Sequence, residues 1–307
     1  MKSPRIVVVG SFNMDLVVST SRMPLVGETI TGQSIHYIPG GKGANQAVGC
    51  ARLGAVVHMV GAVGDDLFGR QIFGEMEQIG IRMEHVAVVP NVPTGTATIL
   101  HTQEDNCIVI VPGANGKVTP EHIESSRRII EQADVLLVQL EIPIESVERA
   151  LQIARASGVK TVLNPAPAIS LPSALIKLAD YVTPNETEFA LLMRDGKLEE
   201  PPLADLSTSM SIWQERYDNM IIVTRGTHGA SYCEGDQLRT VPALKVEAVD
   251  TTGAGDCLNA AFGFGIASGW SLEQSLSFAV KAASVSVTRF GAQAGMPSRE
   301  EVEHAER

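Results

Sequence analysis

A glycine-rich segment at residues 250–256 (Asp-Thr-Thr-Gly-Ala-Gly-Asp) directly precedes an apolar run with helical spacing. The first amides of a helix lack internal partners and carry the positive end of its dipole, so they favour anions. Gly253, Ala254 and Gly255 leave the backbone bare enough for a phosphate to touch those amides. Asp256 stands beside them as a proton acceptor for a hydroxyl, which predicts phosphoryl transfer to an alcohol. The alternative is that Asp256 is only an N-cap.

A second glycine turn occupies residues 40–46 (Gly-Gly-Lys-Gly-Ala-Asn-Gln). It is not a Walker A loop, because Gly43 rather than Ser or Thr follows Lys42, and no G-x-G-x-x-G follows the first predicted strand. Lys42 and Asn45 at a helix start suit a polyhydroxylated ligand, since an amide both donates and accepts hydrogen bonds. A solvated turn is the alternative.

Further polar side chains follow predicted strands. Asn13, Asp15 and Glu141 are suited to grip sugar hydroxyls, although each alone is equally typical of a turn or a cap. Asn185 and Glu188 are spaced for one hydrated Mg²⁺, which phosphoryl transfer requires, or for a helix cap.

Residues 224–230 form a third glycine-containing turn after a predicted strand. Its two glycines would allow close approach by a nucleotide, and a plain hairpin turn is the alternative. The candidate nucleotide contacts are Thr224, Arg225, Gly226, Thr227, His228 and Gly229.

The elements that must position these residues alternate along the chain. Short apolar runs predict strands at 6–9, 56–60, 135–138, 161–164, 181–183 and 221–224, and helical patterns lie at 44–53, 68–79, 120–131, 144–156 and 174–179. Such alternation predicts an α/β fold with a mostly parallel central sheet and helices on both faces. Ligands bind such sheets beyond the carboxyl ends of the strands.

Two segments interrupt the alternation. Strand-like patterns at 16–38 and 94–111, with turns at 24–27 and 104–106, predict hairpins outside the main sheet. We expect a small β-sheet lid, built from segments of about 14–39 and 93–112, within a single domain spanning 1–307. An edge extension of the main sheet is the alternative. At 198–217, Pro201-Pro202 and the polar run 206–209 predict a loop followed by a short helix.

Composition excludes several classes of protein. The 307 residues carry a net charge of -11 without any Lys/Arg-rich run, which argues against nucleic-acid binding. Four scattered cysteines indicate thiols in a reducing cytoplasm rather than a disulfide framework. No apolar run has membrane-spanning length, so we expect a cytoplasmic protein without a membrane partner.

Taken together and in their order along the chain, the motifs resemble those of the sugar kinase family named after phosphofructokinase B, and within it those of the ribokinases. The resemblance covers nearly the whole chain and is carried by residues 10–15, 40–46, 63–66, 164–167, 183–186 and 250–256. It implies ATP-dependent phosphorylation of D-ribose at the 5-hydroxyl, with Mg²⁺, K⁺ activation and a homodimer formed through the lid.

The resemblance also implies roles for individual residues. Asp256 is then the general base, and Ala254 and Gly255, with Gly253, form the anion hole. The positions that match ribose contacts are Asn13, Met14, Asp15, Gly41, Lys42, Gly43, Ala44, Asn45, Glu141 and Asp256. Asn185, Thr224, Gly226, Gly229, Gly255 and Asp256 match nucleotide positions, with Glu188 on the Mg²⁺ motif.

For the monovalent cation, the matching positions are Asp250, Thr252, Ser286, Arg289, Gly291 and Gly295. Gly295 replaces a serine of the family pattern, and Val280 replaces a polar residue near adenine. Two alternatives stay open: a kinase for deoxyribose, another sugar or a nucleoside, and a non-catalytic sugar or nucleotide sensor on the same fold.

Overall fold

In the first strand, β1 (Arg5–Val9), the side chains from Ile6 to Val9 are all apolar and buried, because both faces of its sheet are covered. The computed structural model describes residues 3–102, 106–194, 205–235 and 237–306. The other strands are β2 (Asn13–Ser19), β3 (Ser34–Gly40), β4 (Val56–Gly64), β5 (Arg82–Val89), β6 (Gly95–His101), β7 (Asn106–Val111), β8 (Val135–Val138), β9 (Lys160–Leu163), β10 (Tyr181–Val182), β11 (Met220–Thr224), β12 (Ala230–Glu234) and β13 (Gln237–Val241).

The helices connect and cover these strands. They are α1 (Lys42–Arg52), α2 (Leu67–Ile79), α3 (Pro120–Ser125), α4 (Arg127–Glu131), α5 (Ile144–Ala156), α6 (Ser173–Ile176), α7 (Glu186–Met193), α8 (Leu206–Tyr217), α9 (Ala254–Ala267), α10 (Leu272–Ser286), α11 (Ala292–Gly295) and α12 (Arg299–His304). In the described part of the chain, no helix is long and apolar enough to cross a membrane.

The main sheet has nine strands within the described residues, in the order β13-β12-β11-β10-β9-β8-β1-β4-β5. The strands from β11 to β5 pair in parallel, and β12 and β13 extend one edge in antiparallel fashion. The predicted fold class is confirmed. Because the parallel strands share one direction, their carboxyl ends meet at one edge, which collects the polar residues that follow them.

The small sheet, β3-β2-β6-β7, lies apart from the main sheet. Its two hairpins pair antiparallel, as predicted, and are joined by a parallel pairing of β2 with β6. The alternative of an edge extension is therefore wrong. The predicted turn at 104–106 falls almost entirely outside the described residues.

Three local predictions need correction. The helix predicted at 120–131 is divided into α3 and α4 at Ser126, and the one at 174–179 is reduced to α6. The polar run 206–209 does not interrupt a helix, because it is the first turn of α8, where the Asp205 carboxylate accepts from the Thr208 amide at 3.1 Å. Pro201-Pro202 lies outside the described residues.

Helix α9 carries the central motif and lies inside the molecule, with every residue from Asp256 to Gly265 buried. It packs on β8, α10 and α1. Its approach to α1 depends on Gly49, where an added Cβ would lie 2.6 Å from the Ala260 Cβ. Position 49 therefore sets how closely the two helices that carry the glycine motifs approach each other.

We predict that Gly49→Ala destabilises the protein by about 1–2 kcal/mol, because overpacking outweighs the gain in helix propensity. Gly74→Ala is the matched control, since an added Cβ at this helical position of α2 meets nothing within 4 Å. The free energy of unfolding of the control should increase by about 0.5–1 kcal/mol, because alanine favours a helix more than glycine does. Urea unfolding of both variants measures the difference, and equal gains in the two would contradict the close packing of α1 on α9.

Candidate active site

The amino terminus of α9 presents its first amides and a buried carboxylate side by side. Gly253 is the N-cap residue with φ +77, a conformation that favours glycine, and Asp256 lies in the first turn at 7% exposure. The Asp256 side chain does not cap the helix. Its two oxygens instead accept from Asn45 Nδ2 at 2.9 Å and Gln46 Nε2 at 3.1 Å. The N-cap alternative is therefore wrong.

A chain of buried amides fixes this carboxylate. Gln46 Oε1 accepts from Gln139 Nε2 at 2.6 Å, so the Gln46 amide nitrogen is turned toward Asp256. Burial raises the pKa of Asp256, while Lys42 and the two amides act in the opposite direction. Within the described residues, the Oδ1 of Asn45 is buried without a hydrogen-bond partner. It is therefore a free acceptor beside the predicted base.

Residues from all three glycine motifs line one cavity of about 160 Å³. The lining residues are Lys42, Asn164, Ala166, Thr183, Asn185, Glu188, Thr224, Thr251, Gly253, Ala254, Gly255, Asp256 and Asn259. A larger depression, of about 600 Å³, lies at the opposite edge, where β9, β10 and β11 begin. None of the predicted site residues lines it, so we assign the chemistry to the smaller cavity.

Lys42 is the cation at the centre of the site. Burial opposes its charge, but the carboxylates of Asp256, Glu141, Glu188 and Asp15 outweigh burial and raise the pKa of Lys42. The ammonium therefore stays charged among four carboxylates. Because carboxylates outnumber Lys42 here, a phosphate also needs the first amides and the positive dipole end at the start of α9.

The predicted sugar contacts gather on the other side of Lys42. The Glu141 carboxylate accepts from Ser11 Oγ at 2.5 Å and from the Lys42 amide at 3.0 Å. Asn13 and Asp15 lie on the same face of β2, two residues apart, whereas Met14 points into the core with no exposed surface. Ala44 is also fully buried. Met14 and Ala44 can therefore reach a ligand only through the backbone.

The start of α1 is pressed against the turn that follows β1. Gly41 is its N-cap with φ +93, and an added Cβ would lie 2.7 Å from the Asn13 amide nitrogen. An added Cβ at Gly43 would lie 2.5 Å from the Ser11 amide nitrogen. The glycines thus bring the start of α1, which carries Lys42 and Asn45, against the backbone of Ser11 and Asn13.

Asn185 and Glu188 cap helix α7, as the alternative interpretation predicted, and they also line the cavity. Asn185 Oδ1 accepts from the Glu188 amide and Glu188 Oε2 accepts from the Asn185 amide, each at 2.8 Å, which is a complete capping box. Both residues line the cavity. Burial raises the pKa of Glu188, against the Asn185 amide and Lys42.

The third glycine turn is a hairpin turn between β11 and β12, as the alternative interpretation stated. Thr224 lines the cavity and bridges to Asn185 in parallel register. Arg225 pairs with Glu186 at 3.2 Å, which fastens the turn to α7. An added Cβ at Gly229 would lie 1.9 Å from the Val241 carbonyl oxygen. Gly226, Thr227 and His228 are exposed and do not line the cavity.

The predicted monovalent-cation positions converge next to the α9 amino terminus. The Asp250 carboxylate accepts from the Thr252 amide at 2.9 Å and the Gly291 amide at 2.8 Å. An ideal Cβ on Gly295 would lie 2.6 Å from the Ser286 carbonyl oxygen and 3.7 Å from that of Arg289. The Arg289 side chain pairs with Glu301, so only its backbone faces this cluster. Carbonyl and carboxylate oxygens of this kind fit a hard monovalent cation.

The described residues contain no group of three or more His, Cys, Asp or Glu side chains that could hold a metal ion. A divalent cation would therefore be held by few protein groups, with water and phosphate oxygens as its other ligands. Glu188 and Asn185 fit this requirement, since both residues line the cavity that the α9 amino terminus also lines, and Glu188 Oε1 is not used in the capping box.

Two residues that the motifs did not assign shape the site. Asn115 hydrogen-bonds Asn13 at 2.9 Å, and Gln139 orients Gln46. Both contacts join positions far apart in sequence, so local patterns carried no signal for them.

The fold agrees with comparisons to known proteins. Residues 3–299 match the pfkB family of carbohydrate kinases, and the chain belongs to this family. The chain is 43% identical over 298 residues to the ribokinase of Bacillus subtilis (strain 168), covering 97% of this chain and 98% of that protein. It is 36% identical over 298 residues to the deoxyribokinase of Salmonella typhi, covering 96% of each.

The fold is also similar, with a TM-score of 0.88 and 32% identity, to the structure of Arabidopsis thaliana ribokinase complexed with ribose and ATP, covering 98% of both chains. The protein is therefore a sugar kinase, as the motifs predicted.

We predict that Asp15→Asn stabilises the ligand-free protein, and more so as pH rises. Burial raises the pKa of Asp15 from 3.8 to about 7, with a further rise from Glu141 and opposition from Lys42. Below pH ~4 the carboxyl is neutral in both the folded and the unfolded chain, so the substitution hardly changes the free energy of unfolding. Above pH ~7 the folded protein must hold a buried charge, and the gain should reach about 2 kcal/mol, below the ~4 kcal/mol limit for three pKa units.

Urea unfolding of both proteins between pH 4 and pH 8 measures this difference. Asp66→Asn is the control with opposite sign. Burial acts against the Asp66 charge, but hydrogen bonds from Thr94 and Gly69 prevail and lower the pKa of Asp66. The decrease in the free energy of unfolding caused by Asp66→Asn should be largest at neutral pH and disappear in acid. A pH-independent effect of Asp15→Asn would show that the carboxyl is not perturbed.

Proposed function

We propose that the protein transfers the terminal phosphoryl group of ATP to the 5-hydroxyl of D-ribose, giving D-ribose 5-phosphate. The observation that carries the proposal is the buried Asp256 carboxylate, held by two amides at the amino terminus of α9 and facing Lys42 across one cavity. The similarity to ribokinases, one of them solved with ribose and ATP, supports this acceptor and donor.

Asp256 acts as the general base. Its carboxylate takes the proton of the 5-hydroxyl as the sugar oxygen attacks the terminal phosphorus and the bond to ADP breaks. Burial raises the pKa of Asp256, which increases its basicity. The Asn45 and Gln46 amides hold the carboxylate ionised and in place.

The amides at the start of α9 form the anion hole for the transferring group. The Ala254 amide also donates to the Thr251 carbonyl oxygen at 3.2 Å, whereas an added Cβ at Gly255 meets nothing within 4 Å. Gly255 is therefore the most open position for a phosphate, with Gly253 and Ala254 shaping the approach. Lys42 lines the same cavity and neutralises developing charge.

Asn185 and Glu188 would hold Mg²⁺ through water, and the bound cation would neutralise phosphate charge. Asp250, Thr252, Ser286, Arg289, Gly291 and Gly295 would hold K⁺ beside the loop that leads into the anion hole. Thr224, Arg225, Gly226, Thr227, His228 and Gly229 would form the nucleotide side of the site, with Thr224 innermost.

The sugar binds between Asn13, Asp15, Gly41, Lys42, Asn45 and Glu141, with Met14, Gly43 and Ala44 contributing backbone. The small sheet acts as a lid that excludes water from the reaction. Its edge strands expose Ile35, Tyr37, Ile108 and Ile110, and this apolar surface supports a homodimer formed through the lid.

Phosphorylation of deoxyribose is the second candidate, favoured by the similarity to a deoxyribokinase. Asn13 argues for ribose, because an amide that grips the 2-hydroxyl would have no partner on the deoxy sugar. A non-catalytic sensor is disfavoured, since a sensor needs no base at Asp256.

We predict that Asp256→Asn lowers kcat at least ~100-fold, the scale of lost general-base catalysis, while the Kd for ATP changes less than about twofold. Steady-state ADP release and calorimetric ATP binding measure the two quantities. Asp205→Asn, an exposed helix cap, is the control for the same substitution outside the site. Full activity of the Asp256 variant would remove this residue from the mechanism.

A further inference from the structure

Asn115 lies outside every motif that predicted the site. It is 1% exposed and sits in the 3₁₀ turn Gly113–Lys117, where the chain leaves the small sheet after β7 and enters α3. The turn packs against β4 and β6. Asn115 is thus at the junction of the two sheets, beside the start of β2.

Three hydrogen bonds determine how its amide is oriented. Asn115 Oδ1 accepts from the Phe12 amide at 2.9 Å, and Nδ2 donates to the Phe12 carbonyl oxygen at 2.8 Å. A backbone N–H only donates and a backbone carbonyl only accepts, so the two ends of this side chain cannot be exchanged. Its Nδ2 also donates to Asn13 Oδ1 at 2.9 Å.

The orientation of Asn13 follows from that of Asn115. Because Asn13 Oδ1 is committed to Asn115, the group that Asn13 offers to a ligand is its Nδ2, a donor. Turning the amide over would place two NH₂ groups against each other. Asn13 is 3% exposed, so the lost bond would not be replaced by water.

Close packing holds the pair in this arrangement. Asn13 pairs with Gly95 in the parallel register of β2 and β6. An added Cβ at Gly95 would lie 2.3 Å from Asn115 Nδ2 and 2.4 Å from Asn13 Oδ1. The space around the bond is therefore filled, and neither side chain has room to shift away from the other.

A donor at this position matters because the rest of the sugar site is rich in acceptors. Asp15, Glu141 and Asp256 contribute carboxylates, and Asn45 contributes an unpartnered oxygen. Each hydroxyl donates one hydrogen bond, so these acceptors pair with the O–H groups of a polyol. The oxygen lone pairs of the sugar then need donors, and Asn13 Nδ2 supplies one.

We propose that Asn115 is a positioning residue that fixes the Asn13 amide with its nitrogen toward the sugar, and thereby sets selectivity for an acceptor that carries a 2-hydroxyl. This inference rests on the proposed function, in which Asn13 contacts that hydroxyl. Asn115 itself touches no substrate and acts through Asn13.

The test is the ratio of kcat/KM for D-ribose to kcat/KM for 2-deoxyribose. Asn115→Asp keeps an oxygen for the Phe12 amide but replaces the donor with an acceptor that faces both Asn13 Oδ1 and the Phe12 carbonyl oxygen. The Asn13 amide should turn over and present its oxygen to the sugar. We expect the ratio to fall about tenfold, the size of one hydrogen bond.

A double-mutant cycle separates action through Asn13 from general damage. Asn13→Leu alone should lower the ratio, and Asn115→Asp in that background should lower it no further. Asn219→Asp is the matched control, because Asn219 also accepts at one end, from Trp213 Nε1, and donates at the other, to the Ile176 carbonyl oxygen. It should reduce thermal stability and leave the ratio unchanged.

Suppose that Asn115→Asp lowers kcat/KM equally for both sugars, whereas Asn13→Leu lowers it selectively for D-ribose. This result would overturn the positioning role of Asn115 and would not contradict the proposed function. A wild-type protein that does not turn over ribose would instead overturn the proposed function. If Asn115→Asp does not fold, Asn115→Ala frees the Asn13 amide to adopt both orientations. It should then lower the ratio in the same direction, and an unchanged ratio in a folded Asn115→Ala protein would also overturn the inference.

Discussion

The burial of the Asp256 carboxyl group is the constraint on which the site depends. Asp256 lies in a helix that is buried through most of its length, where an isolated charge would be strongly disfavoured. Its neighbours compensate: two amides from α1 donate to it, Lys42 faces it, and the amino terminus of α9 adds the positive end of a helix dipole. Helices α1 and α9 must therefore keep their relative position, so that the two amides stay opposite Asp256, and Gly49 allows their close contact.

The parallel sheet explains why distant motifs meet. Ser11 follows β1, Gln139 and Glu141 follow β8, Asn164 follows β9 and Thr183 follows β10, so all reach the same edge. Amide side chains then link these ends, since Gln46 Nε2 also donates to Asn164 Oδ1 at 3.3 Å and Asn164 Nδ2 donates to the Thr183 carbonyl oxygen at 3.2 Å. The same network that satisfies buried polar groups thus orients the base.

The sequence predicted the fold well where a residue's pattern was local. Continuous apolar runs marked the parallel strands except β5, which was missed because its buried and exposed residues alternate, and the glycine motifs marked the starts of α1 and α9. Helix breaks at Ser126 and the cap at Asp205 were missed because Ser and Asp signal turns and caps equally well. In the site, the predicted residues around Asp256 come together, but the roles of Asn115, Gln139 and Gln46 depend on contacts between segments 90 or more residues apart, which one sequence does not reveal.

The most direct test of the proposed reaction is ATP-dependent ADP release with D-ribose, 2-deoxyribose, fructose and adenosine as acceptors, each in K⁺ and in Na⁺ buffer. We expect turnover that is selective for ribose and faster in K⁺, because the oxygens around Asp250 adjoin the anion hole. Sugar binding without turnover on any acceptor would contradict it and favour a sensor, whereas efficient turnover on another acceptor would keep the catalytic chemistry and refute the assignment of ribose.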